Sequence, residues 1–189
     1  RPKTLYRLGQ IYAEMGLKDE AVAVFYRVLN SIVVTGEENL DRYIGMARLA
    51  QFEIARIHYQ FEDYERAFLF FDRIDLLELT PGDRETVHYY KAYSALKAGH
   101  HQKALDLMDT FATDFPTSPY LPEIMYLKAE VLQKMDRPEA SADQLVRLLK
   151  AVGPASDDAS RKWNFWRKQA GNRLANRHYE AGEFLVAAE

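Results

Sequence analysis

Apolar residues return at three- and four-residue steps along most of this chain, the spacing of one buried stripe on an α-helix. The stripe is clear in Leu5, Leu8 and Tyr12, and again in Leu40, Tyr43, Ile44, Ala47 and Ala50. One spacing recurs with nearly the same residue types: Ala21-Phe25-Val28, Ala67-Phe71-Ile74 and Ala104-Met108-Phe111. The pattern predicts an all-α chain. Small residues keep a longer register inside it. Gly9, Ala55, Ala92, Ala129 and Ala175 are separated by 46, 37, 37 and 46 positions, and Ala21, Ala67, Ala104, Ser141 and Ala187 follow them twelve positions later. A small side chain at a fixed place marks a helix crossing too close for a larger one, and a period of about 34 to 40 residues is that of stacked helical hairpins.

The two longer separations exceed the shorter ones by nine residues, enough for about two and a half extra helical turns. Both fall on first helices of hairpins. Residues 40–50 extend one helix upstream. Trp163 and Trp166, one turn apart, extend another after the Val152-Gly153-Pro154-Ala155-Ser156 breaker. Thr80, Pro81 and Asp83 make a conventional helix start: a side-chain cap, a proline in the first turn and a carboxylate near the positive helix end.

Leu5-Tyr6-Arg7-Leu8-Gly9-Gln10-Ile11-Tyr12, followed by Ala21, Phe25 and Val28, resembles the tetratricopeptide repeat in spacing and mostly in residue type. A second unit carries Ile54, Ala55, Ala67, Phe71 and Ile74, with Asp63-Tyr64-Glu65-Arg66-Ala67 similar to the family's turn into its second helix. A third carries Ala92, Gly99, Ala104, Met108 and Phe111 and ends in Pro116; a fourth has Ala129, Leu132, Leu145 and Leu148, with Ser141 in the crossing slot. The resemblance implies a right-handed superhelical solenoid of antiparallel hairpins, four full repeats and a truncated fifth, forming a single array over residues 1–189. The repeats are expected at about 2–34, 40–79, 81–116, 119–152 and 156–189. Departures concentrate in first helices: Lys91 and Lys128 occupy a leucine slot, while His58, Ala95, Leu132 and His178 occupy a tyrosine slot. The turn slot reads Gly16, Glu62, Gly99, Asp136 and Gly182, and its three glycines suit a left-handed helix C-cap.

A length of 189 residues with 48% hydrophobic residues supports a substantial core. The formal charge of -3 supplies no net positive field for phosphates and argues against nucleic-acid binding. Cysteine is absent, which removes disulfides and thiolate metal sites and leaves the compartment undetermined by redox usage. No apolar run is long enough to span a bilayer. The helical pattern is already under way at Leu5, and Phe184 to Glu189 begins another helix, so longer natural sequence at both ends is expected, together with self-association through an uncovered C-terminal edge.

Catalysis requires a nucleophile with its base and orienting group, or a metal held by converging ligands. The sequence carries no His-Glu-x-x-His, no Gly-x-Ser-x-Gly and no phosphate loop. His100-His101 reads as a solvated turn pair rather than a metal site, and His58 and His178 read as packing residues with a satisfied ring nitrogen. Glu37-Glu38 and Asp157-Asp158 sit where carboxylates favour helix starts. No enzyme activity, cofactor or metal site is therefore expected.

In tetratricopeptide arrays the first helices line an inner groove, and the fifth slot of each unit points into it. That slot holds Tyr6, Phe52, Tyr89, Tyr126 and Asn172, and Tyr93 lies one turn beyond Tyr89. Aromatic anchors with a polar handle suit capture of a peptide segment; the alternative is that these rings pack between repeats. The carboxylate clamp of chaperone-binding members is disfavoured, because its places hold Tyr6, Gln10, Glu53, Thr86 and Tyr90, without a cation. Asp114-Phe115-Pro116-Thr117-Ser118-Pro119-Tyr120-Leu121-Pro122-Glu123 resembles the linker between repeats of bacterial envelope proteins, of the outer-membrane assembly lipoprotein and Tol-Pal coordinator types. The expected function is a non-enzymatic scaffold binding a peptide or partner protein on the aromatic inner face, periplasmic or envelope-associated, with the cytoplasm as the alternative compartment. Two other readings remain: an assembly module using the repeat ends and the Trp163 and Trp166 ridge, and a regulatory segment of a larger enzyme.

Overall fold

A computed structural model describes residues 2–32, 40–74, 79–153 and 157–183, and all regular structure among them is helical. The order is α1 (Pro2–Glu14), α2 (Lys18–Ile32), α3 (Leu40–Gln60), α4 (Tyr64–Asp72), α5 (Pro81–Lys97), α6 (His101–Asp114), α7 (Leu121–Lys134), α8 (Pro138–Lys150) and α9 (Asp157–Glu180). The extensions read from the 46-residue separations are present: α3 has 21 residues and α9 has 24. Ala187, the helix expected from Phe184, Glu37-Glu38 and Pro154 to Ser156 lie outside the described residues.

The chain divides into two compact units, residues 1–98 and 99–189. In the first, α1 packs on α2, α2 on α3, α3 on α4 and α4 on α5, and α1 also touches α3. Phe25 and Val28 on α2 and Ala50, Ile54 and Ile57 on α3 form one core cluster. Ala55, Ala67, Phe71, Ile74 and Val87 form the next. In the second unit α6 packs on α7, α7 on α8 and α8 on α9, with α7 touching α9. Leu121, Ala129, Leu145, Leu148, Trp163 and Ala170 are its core.

The small-residue register has a direct steric cause. A Cβ on Gly9 would stand 2.8 Å from Phe25 Cζ, closer than carbon atoms approach. Ala21, Ala55, Ala67, Ala92, Ala104 and Ala129 are all fully buried. Ser141, the exception in the crossing slot, donates its hydroxyl to the Ala129 carbonyl at 2.7 Å, so the polar atom enters the crossing already satisfied.

All five turn slots are left-handed. Gly16, Gly99 and Gly182 have φ of 75°, 87° and 78°, and Glu62 and Asp136 reach 59° and 57° without being glycine. Four of the turns share one bonding scheme. The Leu17 N–H bonds the Tyr12 carbonyl, Asp63 bonds His58, Arg137 bonds Leu132 and Glu183 bonds His178, each at 2.9 Å. This six-residue closure satisfies carbonyls that the helix end leaves unpaired. Thr80 caps α5 as expected, accepting the Asp83 N–H at 3.3 Å.

Candidate functional site

The inner-slot residues of the first unit are held by different partners. Tyr6 is half-buried on α1 and donates its hydroxyl to Glu53 Oε1 on α3 at 3.0 Å, while its ring meets Phe25 edge-on at 5.5 Å. Glu53 is a buried carboxylate, 6% exposed, and Arg56 donates to its other oxygen from Nε at 2.9 Å. Burial, then the Glu53 charge, pushes the Tyr6 phenol above its ordinary range, so it stays protonated and donates. Phe52 is half-buried and meets Phe71 edge-on at 6.2 Å.

Five tyrosines then gather where α3, α4 and α5 meet. Tyr59 lies 4.6 Å from Tyr90 and 5.4 Å from Tyr93, Tyr64 lies 5.9 Å from Tyr93, and Tyr89 lies 5.4 Å from Tyr90. Tyr89 is the floor, only 7% exposed. Tyr59, Tyr64, Tyr90 and Tyr93 are half-buried, and the Lys97 ammonium stands 5.3 Å from the Tyr93 ring centre. Tyr64 is hydrogen-bonded to Tyr93, and burial followed by Tyr93 and Glu62 raises its phenol. The cluster combines apolar ring area with a row of phenolic donors at a partly open surface.

His58 sits at the end of α3, 4% exposed, stacked on Phe70 at 5.7 Å and donating from Nδ1 to Asp63 Oδ2 at 3.1 Å. Burial outweighs the Asp63 carboxylate and lowers its pKa. Burial acts on Asp63 in the opposite sense, yet His58, the Arg66 N–H and Lys18 together hold that carboxyl below its usual value. Here the tyrosine slot has been rebuilt as a stacked imidazole tied to the turn. His178 repeats the tie to the turn at the end of α9, with Nδ1 to Glu183 Oε2 at 2.6 Å.

In the second unit Tyr126 is half-buried on α7, 5.1 Å from Trp166, with the Arg173 guanidinium 5.7 Å from its ring centre. Asn172 is exposed. The two tryptophans differ. Trp163 is 3% exposed and packs on Gly153, where a Cβ would stand 2.7 Å from its ring, whereas Trp166 is half-buried. Phe165 between them, which the sequence pattern did not single out, is 53% exposed.

The lysines in the leucine slot are explained by partners one helix back. Lys91 Nζ on α5 pairs with Asp72 on α4 at 2.7 Å, and Lys128 on α7 pairs with Asp109 on α6. Both partners and both lysines are offset by 37 residues. The signal was thus present in the repeat register, since Asp72 and Asp109 each directly follow the same apolar slot of the second helix, Phe71 and Met108. Among the described residues no group of three or more His, Asp or Glu converges as a metal site, and no helix is long and apolar enough to cross a membrane.

The family model described as outer membrane lipoprotein, YfiO, matches residues 46–160, and a tetratricopeptide repeat model matches residues 2–31. The chain belongs to the YfiO outer membrane lipoprotein family. Solved structures carry the same fold at low identity. A MamA double mutant from strain RS-1 superposes with a TM-score of 0.66 at 15% identity, covering 99% of this chain and 88% of that one. A putative kinesin light chain of Podosopora anserina with nearly identical TPR-like repeats gives 0.65 at 16%, covering 100% and 92%. MamA from Desulfovibrio magneticus RS-1 gives 0.64 at 14%, covering 99% and 89%. No curated protein matches the sequence. The fold of this family member is a tetratricopeptide-like α-solenoid, the type of a protein-interaction scaffold.

Proposed function

We propose that this protein is a non-enzymatic scaffold of the bacterial cell envelope. Each unit takes a segment of a partner protein on its own first-helix faces, at Tyr6, Phe52, Tyr89 and Tyr93 in the first unit and at Tyr126 in the second. The observation that carries the reading is the tyrosine cluster. Four of its five rings remain partly open. Tyrosine presents large area with few rotors to immobilise and a hydroxyl that can bond a peptide backbone. The family's description as an outer membrane lipoprotein supports the periplasmic side of the envelope over the cytoplasm.

Tyr93→Ala and Tyr93→Phe in the full protein, compared in a bacterial host by cross-linking to captured partners, test this. Binding predicts that Tyr93→Ala loses about 1 to 2 kcal/mol of partner affinity or more with a nearly unchanged thermal midpoint. If capture persists while the midpoint falls by several degrees, the cluster is core and the reading fails. Tyr89 is the poorer probe because its buried ring will cost stability in either case. A second reading, an assembly module using α9, is favoured by the exposure of Phe165 and Tyr179, 53% and 65%. A concentration-dependent dimer abolished by Phe165→Ser would support that reading.

A further inference from the structure

Between Arg161 and Tyr179, α9 carries six Arg or Lys residues and no carboxylate, although the whole chain has a formal charge of -3. Several of these cations are engaged. Arg167 donates to the Ala151 carbonyl, and Arg177 donates to the Pro138 carbonyl at 3.2 Å and lies 3.8 Å from Glu139. Arg173 differs. It is half-buried, its guanidinium is held over Tyr126, and among the described residues it has no hydrogen bond or ion pair. It lines a cleft of about 330 Å³ between the α7–α8 hairpin and α9, beside the side-chain amides of Gln133 and Asn176. Glu180 stands exposed at the same cleft and is not paired with it.

A guanidinium held over a ring has lost some of its freedom while keeping N–H donors for a carboxylate, which suits two-point capture. The amides can bond a peptide main chain in either polarity, and Trp166 beside Tyr126 adds apolar contact. We infer that the Arg173 cleft binds an acidic side chain within a segment of a partner polypeptide. The charge distribution favours a short acidic segment over an extended polyanion. A membrane plane or nucleic-acid strand would gain from a net positive field, which the chain with its formal charge of -3 does not supply. The inference deepens the scaffold reading at the Tyr126 surface and rests on it. It assigns that surface a chemistry, at a place other than the clamp positions on α1, α3 and α5.

The test is titration of the full protein with blocked hexaglutamate, read by the emission of Trp163 and Trp166 together, with hexaglutamine, phosphatidylglycerol vesicles and a single-stranded oligonucleotide as competing probes. Saturable binding of hexaglutamate that weakens with salt is expected, with a loss of about tenfold or more in Arg173→Gln. Arg173→Lys should recover only part, because charge returns without the fork, and Arg27→Gln on α2 should change nothing. Asn176→Ala gives a milder version of the same loss should Arg173→Gln fold poorly. No measurable hexaglutamate binding, equal binding of hexaglutamine, an unaffected Arg173→Gln, or tighter Arg173-dependent binding of vesicles or oligonucleotide would each overturn the inference. Persistence of partner capture in Tyr93→Ala with hexaglutamate binding intact would instead count against the tyrosine cluster alone.

Discussion

His58 shows how one side chain records its surroundings as a pH dependence. Its ring is stacked on Phe70, bonded to Asp63 and faced by Lys18 and Arg66, and burial lowers its pKa below 6.5. A base whose pKa falls on folding binds its proton less well folded than unfolded, so its contribution to stability is complete above the unfolded value and shrinks as pH falls below it. Asp63 works in the same direction at lower pH: its depressed carboxyl contributes above 3.8 and loses that contribution as pH drops through its folded pKa. The protein should therefore lose stability from about pH 6.5 downward, and His58→Gln should flatten that part of the curve. Thermal midpoints of both proteins between pH 5 and 8 check this; parallel curves would mean that the imidazole is not held neutral.

Among elements, the hairpin turns carry strain that their residues do not all suit. Five turns adopt the left-handed conformation, and two of them do so with Glu62 and Asp136. A side chain there costs about 1 to 2 kcal/mol, less for Asp, and glycine returns some of the gain through its unfolded-state entropy. Glu62→Gly should thus raise unfolding free energy by about 0.5 to 1 kcal/mol, with a smaller gain for Asp136→Gly. Gly16→Ala should cost about 1 kcal/mol. Denaturant midpoints at constant slope measure these differences. A destabilised Glu62→Gly would show that its side chain holds the turn by more than conformation.

At the scale of the whole molecule, stability in a repeat array is a sum of units and neighbouring interfaces. Both tryptophans lie in the second unit, so their emission follows that unit while circular dichroism follows every helix. Ala104 on α6 is fully buried, and Ala104→Phe should cost about 1 to 3 kcal/mol through overpacking. The tryptophan midpoint should then fall by about 2 °C or more. An unchanged midpoint would mean that the crossing has room the register denies, and would remove the reason given for the small residues.

The sequence by itself determined the helices, their hairpin order and the two lengthened members, because small residues at a fixed period can only be explained by repeated close crossings. The left-handed turns at Gly16, Gly99 and Gly182 were legible for the same local reason. Those at Glu62 and Asp136 were not, since neither residue type announces the conformation that the six-residue closure imposes. Only the tertiary structure decided which aromatics stand open. Tyr89 and Tyr93 share a stripe in sequence, but the packing of α3 and α4 puts one beneath the other. It likewise decided that Trp163 is core beside Gly153 while Phe165 faces out, and that Arg173, alike in sequence to Arg167 and Arg177, is the one of the three without a hydrogen bond or ion pair among the described residues. Periodicity says that a side chain lies on a face, but neighbouring helices determine whether that face is covered and which charges find a partner.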